Sequence, residues 1–164
     1  MNYMSIYRSS IADGEGWRVV LFVSGCNRHC KGCHNRESWD PKAGTPFTEK
    51  TKEYLFKCIT DQIAGLTLSG GDPLYKENYK EVVQLCKEFK ERFPNKTIWL
   101  YTGALYRDIY NWEIMKYIDV IVDGPFKIKK KDTTLAFRGS LNQRIINVKT
   151  GEINTQLMSL RQKG

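Results

Sequence analysis

WRVVLFVSG, residues 17–25, is a run of β-branched, aromatic and aliphatic residues closed by glycine, which reads as a strand buried on both faces. Three further apolar runs follow: GLTLSGGDP (65–73), TIWLYTG (97–103) and IDVIVDGPF (118–126). Between them lie helical periodicities. Thr48 after Phe47 predicts an N-cap with a hydrophobic staple, opening a helix to about Ala64 with Tyr54, Leu55, Cys58, Ile59 and Ile63 on one face. Glu77 to Phe93 predicts a second helix, with Val82, Val83, Leu85, Cys86 and Phe89 inward and Pro94 as its stop. A third helical stretch spans about Tyr106 to Tyr117. Alternation of this kind implies right-handed crossovers and a mostly parallel sheet, an α/β fold. Strands and helices of these lengths can build an incomplete TIM-type barrel or an open sheet, and the expectation is the partial barrel, of about five βα units. The chain's 164 residues exclude a complete barrel of about 250. In either architecture ligands gather at the C-terminal ends of the strands.

The expected domain is a single one over 1–150, followed by a flexible C-terminal tail over 151–164. LAFRGSLNQRIINV (135–148) could add one more strand. Hydrophobic residues at 41% and charged residues at 27% are within the globular range, and no run reaches the roughly 18 apolar residues of a membrane span. The opening MNYMSIYRSSIADGEG carries no signal-peptide pattern, so a cytoplasmic location is expected. The formal net charge of +8 is lopsided: residues 127–164 hold nine Lys and Arg against two Asp and Glu. Such a segment is a solvated surface, or it attracts nucleic acid or an acidic partner.

The strand at 17–25 runs directly into CNRHCKGCHN, which places Cys26, Cys30 and Cys33 within eight residues at C-x3-C-x2-C spacing. The interleaved Asn27, Arg28, His29, Lys31 and His34 argue against a buried cysteine stripe, and Gly25 and Gly32 favour a loop. Thiolates select zinc or iron-sulfur clusters. A Cys3His zinc site could recruit His29 or His34, and the basic C-terminal segment of such a module would contact nucleic acid phosphates. Against that stand the missing second ligand pair and the absence of any aromatic residue after Phe137 on which bases could stack. Cys58 and Cys86 fall on apolar helix faces as small buried residues. A 4Fe-4S cluster held by three thiolates leaves one iron open to a chelating cofactor.

The cysteine loop after the first strand resembles the signature of the radical S-adenosylmethionine superfamily. LTLSGGDPL resembles that superfamily's Gly-Gly-Glu element, here with Asp72 in the place of Glu. MNYMSIY, DGEGWRVVLFVSGC, CHNRESWDPKAGTPFT, LTLSGGDPL, IWLYTG, DVIVDGPF and FRGSLNQR, in order over residues 1 to about 147, are together similar to the activating proteins of anaerobic (class III) ribonucleotide reductases. The resemblance implies a 4Fe-4S cluster on Cys26, Cys30 and Cys33, and S-adenosyl-L-methionine bound by Gly32, Cys33, His34, Ser69, Gly70, Gly71, Asp72, Thr102 and Asp123. The main chain of Ser69 to Gly71 would receive the cofactor's methionyl ammonium, and Gly71 would leave it room. The reaction implied is reductive cleavage of the cofactor to a 5′-deoxyadenosyl radical, which takes a hydrogen from a glycine of the large reductase subunit. Activation of another glycyl-radical enzyme is the neighbouring alternative. An electron donor such as a flavodoxin is implied too, a homodimer is allowed, and neither a membrane nor a nucleic acid is expected as partner. Lys127, Lys129, Lys130 and Lys131 beside the fourth strand could attract the reductase or be a plain surface charge run.

Overall fold

In a computed structural model, which describes residues 1–162, the chain forms one mixed sheet of seven strands with helices packed on it. In chain order the strands are β1 (Asn2–Ser10), β2 (Trp17–Val23), β3 (Thr45–Pro46), β4 (Ile63–Gly70), β5 (Thr97–Tyr101), β6 (Val120–Asp123) and β7 (Arg144–Asn147). The helices are α1 (Glu49–Lys57), α2 (Tyr79–Arg92), α3 (Tyr106–Ile109) and α4 (Thr155–Met158). The strand order is β3-β1-β2-β4-β5-β6-β7. β2, β4, β5 and β6 are parallel, whereas β1, β3 and β7 run antiparallel to their neighbours. The α/β reading holds. The sheet is open, with β3 and β7 at its edges, and the expected partial TIM-type barrel is not borne out. Instead of about five βα units there are four parallel strands joined by three crossovers, because antiparallel strands take the flanking positions.

The four strands read from the sequence all form, each shorter at its C-terminal end than the apolar run suggested. Their alternate residues build the main core. Val19, Leu21 and Val23 of β2, Leu66 and Leu68 of β4, Ile98 and Leu100 of β5 and Ile121 of β6 are clustered with Leu55 and Phe56 of α1 and Val82, Leu85, Cys86 and Phe89 of α2. Full burial of each large side chain in such a cluster is worth about 1.5–3 kcal/mol. On the other side of β5 and β6, Trp99, Val122 and Ile145 pack with Leu157 and Phe137.

Thr48 caps α1 as expected: its hydroxyl accepts from the Thr51 N–H while its own N–H donates to the Thr51 hydroxyl. The helix nevertheless stops at Lys57 and does not reach Ala64. Ile63 lies at helical spacing from Ile59 but is extended, paired with Trp17 at the start of β4. The carbonyls left in the intervening turn are taken up by Lys96, whose ammonium donates to Thr60, Asp61 and Ile63. The stretch from Tyr106 to Tyr117 is likewise broken, because Trp112 takes an extended backbone (ψ 149°) between α3 and the 3-10 turn Glu113–Lys116.

β1 had no counterpart in the sequence reading. Residues 151–162, read as a flexible tail, carry α4, in which Asn154 accepts from the Leu157 N–H and Leu157 is buried. Arg138 donates to the Met158 carbonyl, and the Asn154 N–H donates to that of Ile145. Residues 163 and 164 of that expected tail lie outside the described residues. No helix among the described residues is long and apolar enough to cross a membrane.

Candidate functional site

The cysteine loop leaves the end of β2 and is anchored at its base. The Gly25 N–H donates to the Ser38 carbonyl at 2.7 Å and the Cys26 N–H to that of Trp39 at 3.1 Å. Asn78, ahead of α2, donates to the Ser24 carbonyl at 2.6 Å. Beyond this base the loop turns through two left-handed residues, His29 (φ 47°) and Gly32 (φ 79°), and closes with the Cys33 N–H on the Cys30 carbonyl. Glycine at 32 suits that left-handed backbone, and a Cβ there would also lie 2.6 Å from the end of the Ile128 side chain, which would have to move aside. Cys26, Cys30 and Cys33 are free and half-buried. Burial pushes the Cys26 thiol up, while the backbone N–H groups of Arg28 and His29 aimed at its sulfur pull it down. The Asn35 N–H donates to the Cys33 sulfur at 3.4 Å.

His29 stacks on Trp39 at 4.3 Å, and exposed His34 sits 5.8 Å from the Phe126 ring. Among the described residues no three His, Cys, Asp or Glu side chains already converge as a metal group. What the loop supplies is therefore a donor set: three soft sulfurs, with backbone N–H groups directed at two of them. That set suits an iron-sulfur cluster, whose potential such hydrogen bonds tune.

Ser69, Gly70, Gly71 and Asp72 lie at the end of β4, beside the base of the cysteine loop. The Gly71 N–H donates to the Val23 carbonyl and the Asp72 N–H to that of Gly25, both at 2.8 Å, while Asn35 donates to the Gly70 carbonyl. A Cβ on Gly71 would come 2.5 Å from the Gly25 carbonyl oxygen and 3.0 Å from that of Ser38. The close approach that the two glycines permit is thus first of all between the two loops.

The Asp72 carboxylate is buried and joins three loops. It accepts from the Thr102 hydroxyl, from the Gly103 N–H at 2.9 Å and from the Leu74 N–H at 3.0 Å, and its Oδ2 lies 3.7 Å from Arg28 Nε. Burial raises its pKa, and these N–H donors oppose the rise. Asp123, at the end of β6, is fully buried on other partners: Arg144 grips both its oxygens, at 3.2 and 2.7 Å, and the Tyr106 N–H donates to it at 2.8 Å.

A cavity of about 580 Å³ opens where these loops meet. Of the residues chosen from sequence, Cys30, Asp72 and Thr102 line it; Cys26, Gly32, Cys33, His34, Ser69, Gly70, Gly71 and Asp123 do not. Arg28, Tyr75, Lys76 and Trp112 line it and were not singled out as ligand residues. Arg28 could have been, as the one arginine inside the cysteine motif. Tyr75 and Trp112 carried no signal, because an aromatic residue in a loop or after a short helix reads as packing. Arg138 donates to the carbonyls of Leu141, Gln143 and Met158 and so ties the C-terminal segment together.

Residues 12–146 match the family model described as a 4Fe-4S single cluster domain. The chain is similar to the anaerobic ribonucleoside-triphosphate reductase-activating protein of Enterobacteria phage T4, 47% identical over 146 residues that cover 88% of this chain and 93% of that protein. It is 42% identical over 152 residues to the protein of the same name from Pasteurella multocida, covering 88% and 96% of the two chains. With the Escherichia coli K12 protein of that name it shares 36% identity over 148 residues, covering 87% and 96%.

Proposed function

The chain belongs to the family of anaerobic ribonucleoside-triphosphate reductase-activating proteins, and from that membership we propose that it is a radical S-adenosylmethionine activase that generates the glycyl radical of anaerobic ribonucleotide reductase. The observation that carries the proposal is the meeting of the cysteine loop, through Cys30, with Asp72 and Thr102 in one cavity at the C-terminal ends of the parallel strands. Cys26, Cys30 and Cys33 would hold a 4Fe-4S cluster, which when bound supplies the electron for reductive cleavage of S-adenosyl-L-methionine.

The protein's own residues position and exclude. Gly70 and Gly71 seat the second loop against the first, so that Ser69 to Gly71 present their main chain beside the cysteines. Asp72, held by Thr102, Gly103 and Leu74, fixes the distance between the second and third loops. The cavity wall includes exposed Trp112, and the reductase segment that carries the glycine would complete that wall and keep water from the reacting atoms. An electron donor such as a flavodoxin would deliver the reducing equivalent.

The test is anaerobic reconstitution. Iron and sulfide should load on wild type and not on a Cys26, Cys30 or Cys33→Ala variant, and the reduced protein should convert S-adenosyl-L-methionine to methionine and 5′-deoxyadenosine. A colourless protein with one zinc per chain and no cleavage would overturn the proposal.

A further inference from the structure

Arg28 is unusually placed for a charged residue in a ligand loop. Its side chain crosses from the cysteine loop to the loop after β5 and lies on Gly103, where a Cβ would fall 2.1 Å from Arg28 Cδ and 2.5 Å from Nε. Only glycine at 103 lets the guanidinium lie there. The side chain is 43% exposed and lines the same cavity as Cys30, two residues away. It makes no hydrogen bond with the described residues: its nearest acid is Asp72, at 3.7 Å from Nε, and the Asp72 oxygens are already engaged by Thr102, Gly103 and Leu74. The two Nη groups of a guanidinium form a planar fork suited to a carboxylate, and here no carboxylate of the protein occupies it. The other cation on the cavity, Lys76, is exposed and lies on the far side of the Asp72 loop in sequence.

We propose that Arg28 is a cofactor-binding residue that grips the carboxylate of the methionyl part of S-adenosyl-L-methionine, with Gly103 as the platform that keeps the guanidinium in reach. The inference rests on the function proposed above and adds to it a residue and the ligand group it recognises. Asp72 then acts as a positioning residue, since it restrains Arg28 from the Nε side and leaves the fork free.

The experiment compares two ligands that differ only in that carboxylate. Binding of S-adenosyl-L-methionine and of its decarboxylated analogue is measured by anaerobic calorimetry on reconstituted, oxidised protein, for wild type, Arg28→Gln and Arg28→Lys, with iron content determined for each. Loss of a charge-assisted pair should weaken binding of S-adenosyl-L-methionine to Arg28→Gln by about tenfold or more. Binding of the decarboxylated analogue and iron content should not change, and Arg28→Lys should fall between. Equal weakening of both ligands, lost iron, or no change with either ligand would overturn the assignment and leave Arg28 as a loop spacer. Failure of wild type to bind either ligand would instead overturn the proposed function, and this inference with it.

Discussion

The Thr102 hydroxyl lies 2.9 Å from one oxygen of Asp72 and 3.0 Å from the other, and by donating there it ties the loop after β5 to the loop after β4. Both residues are buried, so losing the donor leaves the carboxylate short of a partner. Thr102→Val keeps the shape and removes the donor, which should cost about 1–3 kcal/mol of stability. Denaturant unfolding of the cluster-free protein reads this directly, and an unchanged midpoint would mean the pair does not organise the loops.

Asp72 should also leave a mark on the pH dependence of stability. Burial raises its pKa above the ordinary 3.8, so the folded state holds the proton more tightly than the unfolded chain. Its contribution is therefore full below the ordinary value and is lost as pH rises through the raised one. Asp72→Asn does not titrate. The stability gap between wild type and this variant should accordingly narrow as pH climbs from about 4 towards neutrality. A gap that widens over that range would show that hydrogen bonds to the carboxylate outweigh its burial.

The five cysteines divide by environment. Cys86 is fully buried on α2, and burial pushes its thiol up to about 12, so it should resist alkylation at pH 8 until the protein unfolds. Cys58 is half-buried at the end of α1 and should be modified in the native state. Cys86→Ala should cost about 1–2 kcal/mol and leave iron content intact. Peptide mapping by mass spectrometry decides it, and early labelling of Cys86 would contradict the assignment.

Gly71 carries a prediction that differs from the sequence expectation. A side chain there was expected to crowd the cofactor, yet it would first strike the backbone oxygens of Gly25 and Ser38, at the base of the cysteine loop. Gly71→Ala should therefore lower iron retention as well as cofactor affinity, by about fivefold for a strain of about 1 kcal/mol. Full iron content with weakened binding of S-adenosyl-L-methionine would return Gly71 to the cofactor alone.

What the sequence disclosed and what it hid have physical reasons. β2, β4, β5 and β6 were legible because buried parallel strands are continuous apolar runs, and α2 because Val82, Val83, Leu85, Cys86 and Phe89 keep one face. β1 was not, since NYMSIYRSS mixes polar and apolar residues and its strand is defined by pairing with β2. The end of α1 was misjudged because Ile63 fits helical spacing as well as it fits a strand. Arg18 was invisible as a core residue: it is buried beneath Trp99, where Thr67, Thr97 and three carbonyls satisfy its donors, and burial lowers its pKa to about 10. At the site, spacing in the chain marked the cysteines and the Gly-Gly-Asp turn. Arg28 and Gly103 are far apart in sequence and become a unit only when the third loop folds beneath the first.

Formation of the reductase's glycyl radical tests the central claim most directly. Reconstituted protein, reductant and S-adenosyl-L-methionine are mixed anaerobically with the large subunit of an anaerobic ribonucleotide reductase, and the EPR spectrum of the mixture is followed in time. The account predicts a glycyl radical signal on the reductase that requires S-adenosyl-L-methionine and is absent with Cys30→Ala. A signal that forms without the cofactor, or no signal from protein that loads its cluster and cleaves S-adenosyl-L-methionine, would contradict it.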